Sequence, residues 1–220
     1  MILAFLAILL CCSALPAQVA GGANAEYQTK EGRARLGKGL GSSGRDAQQK
    51  PKELVEALDL KPGMTVADVG SGVGYMLPYL SRAVGPSGRV LAEDIQQDFL
   101  DGAKAKTERE KLDNVSYVLG STKDTKLPTD AVDVAFALDA YHHFDYPAEM
   151  LASIRKALKK DGRLAVVDFH KNHFKDSAHV RLDIDGLILE VEANGFRCVS
   201  RREFPSNDQF LAVFVKRAAQ

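Results

Sequence analysis

The sequence predicts an α/β fold of three layers, in which helices cover both faces of a seven-stranded, mostly parallel sheet that ends in an antiparallel hairpin. Helical segments alternate with short apolar runs over residues 51–194, and this alternation is typical of parallel sheets. A glycine-rich turn follows the first apolar run, at the strand end where open α/β sheets bind ligands. The last two apolar runs are separated only by a tight turn, so they must pair antiparallel.

The predicted elements have local start and stop signals. Pro51 begins a helix at a position where its missing N–H costs nothing, and Gly63 helps to end it. Gly195 follows the last helix in the C′ position. The predicted helices are 51–60, 75–84, 96–111, 147–158 and 180–194, and the predicted strands are 66–69, 89–93, 115–119, 132–138, 164–168, 196–204 and 209–216.

Length and charge limit the classes of protein that the chain can represent. A chain of 220 residues is long enough for one domain with a well-formed core. Its 29 basic and 29 acidic side chains balance, and it contains no Trp. Because neither a basic surface nor a stacking platform is indicated, no nucleic-acid partner is expected.

The N-terminus has the pattern of an export signal. Residues 2–12 are apolar without interruption, and small residues follow as far as Ala17. The run is too short to cross a bilayer comfortably and resembles a signal-peptide core. We therefore expect residues 1–20 to act as a signal, with cleavage after Ala14 or Ala17, so that the protein is periplasmic or secreted. An uncleaved segment would tether it to a membrane, and a segment that is no signal would leave it cytoplasmic.

Residues 21–49 separate this segment from the main domain, residues 50–220. Stretch 37–44 is rich in Gly and Ser, which indicates a flexible linker, whereas a cap over the site is the alternative. Cys198 would be the one cysteine left after cleavage, which precludes an intramolecular disulfide.

The glycine turn and the end of the next strand carry the strongest functional signal. Residues 66–74 read VADVGSGVG, with glycines spaced G-x-G-x-G and not G-x-G-x-x-G. The acids Glu93 and Asp94 end the next strand, at the separation where a carboxylate meets ribose hydroxyls. Strand alternation points the two acids in opposite directions, so we expect only one of them to bind the ribose hydroxyls.

Together these motifs resemble the class I S-adenosylmethionine (SAM) dependent methyltransferases. The resemblance extends from residue 50 to the C-terminus through VLAEDI (90–95), VDVAFA (132–137), YHH (141–143) and LKKDGR (158–163), in the family's order. It implies a Rossmann-like fold, SAM as the cofactor and a small-molecule methyl acceptor. The cofactor-binding residues that it implies are Asp68, Gly70, Ser71, Gly72, Gly74, Asp94, Ile95, Ser121 and Thr122. Asp94 is preferred to Glu93 for the ribose.

A polar cluster after the fourth strand contains the candidate catalytic residues. Asp139, Tyr141 and His142 follow that strand, and a histidine of near-neutral pKa is a natural general base. His143 is a weaker candidate. Three residues after the fifth strand are expected to line the acceptor pocket: Asp168, His170 and Lys171.

Metal binding is an alternative use of these side chains. His142, His143, His170 and His173, with Asp139 or Asp168, could supply ligands. The adjacent histidine pair does not have a recognised zinc spacing. The sequence therefore predicts no metal site.

Two other functions remain open at this level. A nucleotide- or NAD-binding oxidoreductase would share the glycine turn but would have a later third glycine and a parallel last strand. A non-catalytic, exported ligand-binding protein on the same fold would agree with the N-terminal segment, because SAM is made in the cytosol.

Overall fold

The computed structural model describes residues 18–176, 178–204 and 208–218. The apolar run that we expect to act as an export signal lies outside the described residues. None of the helices within the described ranges is long and apolar enough to cross a membrane.

A single seven-stranded sheet forms the middle layer. The strands are β1 (Thr65–Val69), β2 (Arg89–Asp94), β3 (Val115–Leu119), β4 (Val132–Leu138), β5 (Leu158–Phe169), β6 (Phe196–Phe204) and β7 (Gln209–Lys216). Their order is β3-β2-β1-β4-β5-β7-β6, and only β7 runs antiparallel to its neighbours. The predicted parallel sheet with an antiparallel hairpin is confirmed, with β7 placed between β5 and β6.

Helices cover the two faces of this sheet. They are α1 (Lys30–Leu40), α2 (Asp46–Gln49), α3 (Pro51–Ala57), α4 (Leu77–Val84), α5 (Gln97–Arg109), α6 (Pro147–Ala157) and α7 (Ile184–Ala193). Val134 and Ala135 of β4 enter different buried apolar clusters, because successive strand side chains point to opposite faces. One cluster includes residues of α3, α4 and α5, and the other includes residues of α6 and α7. The predicted three-layer fold is confirmed.

The starts of two elements differ from the predicted ones by four residues or more. β5 begins at Leu158 and not at Leu164, because Leu158 already pairs with Val132 ahead of a register irregularity in β4. α7 begins at Ile184 and not at Val180, because the Asp183 side chain accepts a hydrogen bond from Gly186 N (2.9 Å) and caps the helix there.

Residues 21–49, which we call the cap segment, are helical over much of their length. Thr29 caps α1 by accepting a hydrogen bond from Gly32 N (3.0 Å). A Cβ atom at Gly37 or Gly41 would lie 3.3 Å from a methyl group of Val73 in the glycine turn. These glycines therefore allow α1 to pack closely on the turn. The flexible linker that we predicted over residues 37–44 is wrong in this respect, because the stretch belongs to a packed helix and the turn after it.

Candidate functional site

A cavity lies at the carboxyl edge of the sheet, where neighbouring parallel strands end. Its lining includes Asp68, Gly70, Ser71 and Gly72 from the first turn, Glu93, Asp94 and Ile95 from the end of β2, Ser121 and Thr122 after β3, Asp139, Ala140, His143 and Phe144 after β4, and Asn24, Tyr27, Leu40 and Arg45 from the cap segment. The structure thus brings together nearly all the residues that the sequence assigned to a cofactor. Gly74 is the one that does not line the cavity.

The glycines of the turn have two different roles. Gly72 has a φ of +52°, and its N–H donates a hydrogen bond to Asp94 Oδ2 over 2.8 Å. A Cβ atom at Gly74 would lie 2.7 Å from Leu77 Cδ1 and 3.0 Å from the Cβ of Ala103. Gly74 therefore permits close packing of α4 and α5, and the ligand contact expected for it stays a prediction.

Both acids at the end of β2 reach the cavity. Asp94 accepts hydrogen bonds from the N–H groups of Gly72 and Gln96, each at 2.8 Å, and Glu93 Oε2 lies 3.4 Å from Gly70 N. Strand alternation does not keep Glu93 away from the cavity, because both acids stand at the carboxyl end of β2, which the cavity borders. Which of the two binds the ribose hydroxyls stays a prediction.

Three buried carboxyl groups give this end of the cavity an acidic character. Burial, and then the charge of Asp94, raise the pKa of Asp68 to about 7. Burial raises the pKa of Asp94 to about 6 against the opposing effect of its backbone hydrogen bonds. Burial, and then Asp94, hold the pKa of Glu93 well above its usual value. The site therefore favours a ligand that carries positive charge.

Asp139 connects the cap segment to the sheet. Its Oδ2 accepts hydrogen bonds from Arg45 (2.6 Å) and Gln49 (2.5 Å), and its Oδ1 accepts one from Gln209. The Arg45 guanidinium also lies 4.5 Å above the ring of Tyr75. Asp139 lines the cavity as the sequence predicts, and these contacts use three of the roughly four acceptor positions of its carboxylate.

The other two predicted catalytic residues do not line the cavity. Tyr141 is buried in the core, and its hydroxyl donates a hydrogen bond to Glu190 Oε1 over 2.6 Å. His142 is also buried, with Nδ1 2.6 Å from Asp168 Oδ1. His143 lines the cavity instead. We expected His142 to be the histidine that faces the site, and the structure reverses this preference. Tyr141–His143 form a short 3-10 helix, which turns successive side chains to different sides. The sequence pattern of β4 does not predict this helix.

Asp168 near the end of β5, and His170 and Lys171 just after it, also lie outside the cavity lining. The Asp168 carboxylate contacts His142, the partly exposed His170 lies 2.7 Å from Glu203, and Lys171 is exposed. The structure thus places none of these three residues in the cavity, contrary to the prediction that they line the acceptor pocket.

His179 is a site residue that the sequence analysis did not identify. It lies between β5 and α7, and its ring centroid is 5.2 Å from that of His142 and 5.6 Å from that of His143. Burial, and then the neighbouring histidines, lower the pKa of His143 well below its usual value. No periodicity or motif marks His179, because tertiary folding alone brings it to the other two.

Comparison with known proteins identifies related sequences. The profile of a family described as Methyltransferase domain matches residues 67–166. The chain is 34% identical over 180 residues to the ubiquinone/menaquinone biosynthesis C-methyltransferase UbiE of Pseudomonas paraeruginosa, covering 74% of this chain and 67% of that protein. It is 35% identical over 113 residues to an uncharacterized 37.1 kDa protein in transposon TN4556 of Streptomyces fradiae. That match spans 51% of this chain and only 32% of the Streptomyces protein.

A solved structure agrees with these sequence matches. A SAM dependent methyltransferase from Aquifex aeolicus superposes with a TM-score of 0.77 and is 28% identical in sequence. The superposition covers 82% of this chain and 96% of the other. The likeness therefore includes nearly the whole Aquifex protein.

Proposed function

Because the chain belongs to the class I SAM-dependent methyltransferases, we propose that it binds SAM in this cavity and catalyses methyl transfer to a small-molecule acceptor. SAM supplies a methyl group on a positively charged sulfur, so the protein's task is to bind and orient two molecules and to exclude water. The proposal rests on one observation above all: the hydrogen bond from Gly72 N to Asp94 joins the glycine turn to a buried carboxylate at one cavity.

Unsatisfied polar atoms in the cavity lining agree with this cofactor. Among the described residues, the buried atoms Ser71 Oγ and Glu93 Oε1 have no hydrogen-bond partner. Buried polar groups normally have one, so a ligand with hydroxyl and amino groups would complete the site. SAM carries hydroxyl and amino groups and a positively charged sulfur. The positive charge suits the three acidic side chains around the glycine turn.

We assign the ribose of SAM to Asp94 and its methionine end to Asp68. Asp94 Oδ1 and Oδ2 each accept one backbone hydrogen bond, and a carboxylate has about four acceptor sites, so capacity remains for the ribose hydroxyls. Asp68 is buried at the end of β1 and would hold the methionine end through its charge. Ile95, Ser121 and Thr122 would contact the adenine.

The part of the cavity lined by His143, Phe144 and Met150, which we call the acceptor end, suits a small acceptor with an apolar or aromatic part. The ring centroid of Tyr27, which also lines the cavity, lies 4.9 Å from that of His143 in an edge-on contact. Apolar walls with a few polar groups are typical of small-molecule sites. The Pseudomonas relative is described as a C-methyltransferase, which supports carbon as the methylated atom.

Calorimetric titration of the full chain with SAM, S-adenosylhomocysteine and NAD tests the proposal. We expect both adenosyl compounds to bind with one-to-one stoichiometry and NAD to give no heat of binding. Asp94→Ala should weaken the binding, whereas Asp101→Ala, an exposed acid on α5, is the matched control. Binding of NAD without binding of SAM would reject the methyltransferase assignment in favour of an oxidoreductase. Transfer of labelled methyl from SAM to candidate aromatic acceptors then identifies the substrate class.

A further inference from the structure

We propose that His142, His143 and His179 bind one divalent transition-metal ion next to the acceptor end of the cavity. One potential ligand atom from each of the three side chains lies within 4.8 Å of the other two. His142 and His143 come from the turn after β4, whereas His179 comes from the segment between β5 and α7. The ion would therefore connect two segments that are distant in the sequence.

The hydrogen bonds of His142 leave one ring nitrogen free to act as a ligand. Asp168 accepts hydrogen bonds from His142 N (3.0 Å) and from Phe169 N (2.9 Å), and its Oδ1 lies 2.6 Å from His142 Nδ1. Because a carboxylate only accepts, Nδ1 carries the proton and Nε2 keeps its lone pair. A metal-binding histidine typically donates its second N–H to a carboxylate in this way.

His143 has the same arrangement with an amide as its partner. The Asn24 side-chain amide donates hydrogen bonds to Asp145 Oδ1 (2.9 Å) and to the His143 carbonyl (3.0 Å). These two acceptors assign the nitrogen of the amide, so its oxygen is the atom 2.8 Å from His143 Nδ1. Nδ1 of His143 is therefore a donor, and its Nε2 also keeps a free lone pair.

The three rings need to move only slightly closer together to bind one ion. Nitrogen ligands about 2.0–2.1 Å from a tetrahedral ion lie about 3.4 Å apart, so the widest gap must shorten by at most about 1.4 Å. His179 can supply this movement, because it lies in an irregular segment and is only partly buried. Its ring contacts Phe174, with centroids 4.5 Å apart, so an aromatic side chain borders the cluster.

The donor set identifies the class of ion. Three imidazole nitrogens without a carboxylate or thiolate suit Zn²⁺, Co²⁺, Ni²⁺ or Cu²⁺, and they do not suit Mg²⁺ or Ca²⁺, which prefer oxygen. Three protein ligands leave a fourth coordination position for water or substrate, as in catalytic zinc sites. Because His143 also lines the cavity, that position would be available to a hydroxyl or carbonyl group of the acceptor.

Two neighbouring histidines provide matched controls. His170 Nε2 lies 2.7 Å from Glu203 and His173 Nδ1 lies 3.3 Å from Asp208, so each contacts a separate acid outside the cluster. His173 is on the same segment as His179 and stacks on Phe169, with centroids 4.3 Å apart. Replacing His173 thus changes this segment without removing a proposed ligand.

The test is equilibrium dialysis of the untagged full chain, stripped with chelator, against Zn²⁺ and Co²⁺, with metal counted by mass spectrometry. We expect one ion per chain and, for Co²⁺, visible absorption bands of a tetrahedral site. His179→Ala should weaken binding at least about 10-fold, the lower end of the effect of losing even an outer-sphere partner. His173→Ala should bind like wild type.

Two results would overturn the site: wild-type chain that takes up no metal, or a His179→Ala variant that keeps wild-type affinity and stoichiometry. Circular dichroism of each variant shows that the fold is retained, and His142→Ala offers a second ligand deletion. Asp94→Ala should keep its metal even if it loses SAM, so the outcome is independent of the proposed methyl-transfer function.

Discussion

The N–H of Gly72 donates a 2.8 Å hydrogen bond to Asp94 Oδ2, and the other carboxylate oxygen of Asp94 accepts one from Gln96 N over the same distance. One side chain thereby sets the spacing between the glycine turn and the start of α5. This relationship determines the shape of the cofactor end of the cavity, and the first two predictions test it.

Asp94→Ala should reduce the affinity for SAM by at least about 1.5 kcal/mol, which is the scale of lost hydrogen bonds to a charged group. The reason is that the variant loses both the proposed ribose contact and the support of the turn. Titration calorimetry measures the change. Wild-type affinity in this variant, or a loss in Glu93→Ala alone, would transfer the role to Glu93, which also lines the cavity.

Gly72→Val should abolish SAM binding and leave a folded protein. A Cβ atom at Gly72 would meet Leu40 Cδ1 at an ordinary 3.7 Å, but the φ of +52° is strained for a β-branched residue and places the side chain in the cavity. Gly74→Ala is the contrasting variant, because its Cβ would clash with α4 and α5 and should lower the melting temperature. Thermal melts and SAM titrations of both variants separate the two roles, and normal binding by Gly72→Val would contradict the first.

The stability of the SAM-free chain should fall as pH rises from about 4 to about 7 because of Asp68. Its pKa is raised from 3.8 in the unfolded chain to about 7 in the folded one, chiefly by burial. In this window the folded chain retains a proton that the unfolded chain releases, so the free energy of unfolding decreases with pH. Asp68→Asn should reduce the slope in urea unfolding measured at several pH values. An unchanged slope would show that Asp68 does not carry this proton.

Arg45→Ala should weaken SAM binding and lower stability by roughly 1.5–3 kcal/mol, the scale of a hydrogen bond to a charged group. The change removes a partner of the Asp139 carboxylate and the contact of Arg45 with Tyr75. Arg82→Ala breaks an exposed ion pair with Glu110 and should have little effect. If the two variants behave alike in melts and titrations, the cap segment does not depend on Arg45.

We propose that the mature protein begins near Gln18 and is exported. The pattern of residues 2–17 supports this, and Val19 N donates a hydrogen bond to Asp145 O over 3.0 Å, so cleavage after Ala17 would leave this contact in place. Fractionation of the native host with N-terminal sequencing is the measurement. An intact Met1 in the cytosolic fraction would exclude export.

Turn and cap residues in the sequence predict most of the strands and helices, and their order along the chain. The pairing of the last two strands follows from the tight turn between them, and the end of α7 follows from Gly195, whose φ is +87°. The start of β5 is not predictable in this way, because Leu158 joins the sheet through a bulged pairing with Val132.

The site was less predictable where function depends on tertiary contact. Composition alone does not distinguish glycines that make a segment flexible from glycines such as Gly37 that let a helix approach Val73. Strand alternation does not exclude Glu93 from the cavity, because both acids stand at the end of β2 that the cavity borders. His179 carries no local signal, since its relation to His142 and His143 exists only in the folded chain.

The position of β7 between β5 and β6 also has a consequence for how the sheet forms while the chain is being synthesised. β7 follows both of its partners in the sequence, so during synthesis from the N-terminus the sheet stops at β5, and β6 has no strand to join. Each of these strands then exposes unpaired backbone groups, which are templates for association with other chains. A chain released before β7 is made would therefore be aggregation-prone, and the half of the sheet that carries the cavity would be left with an open edge.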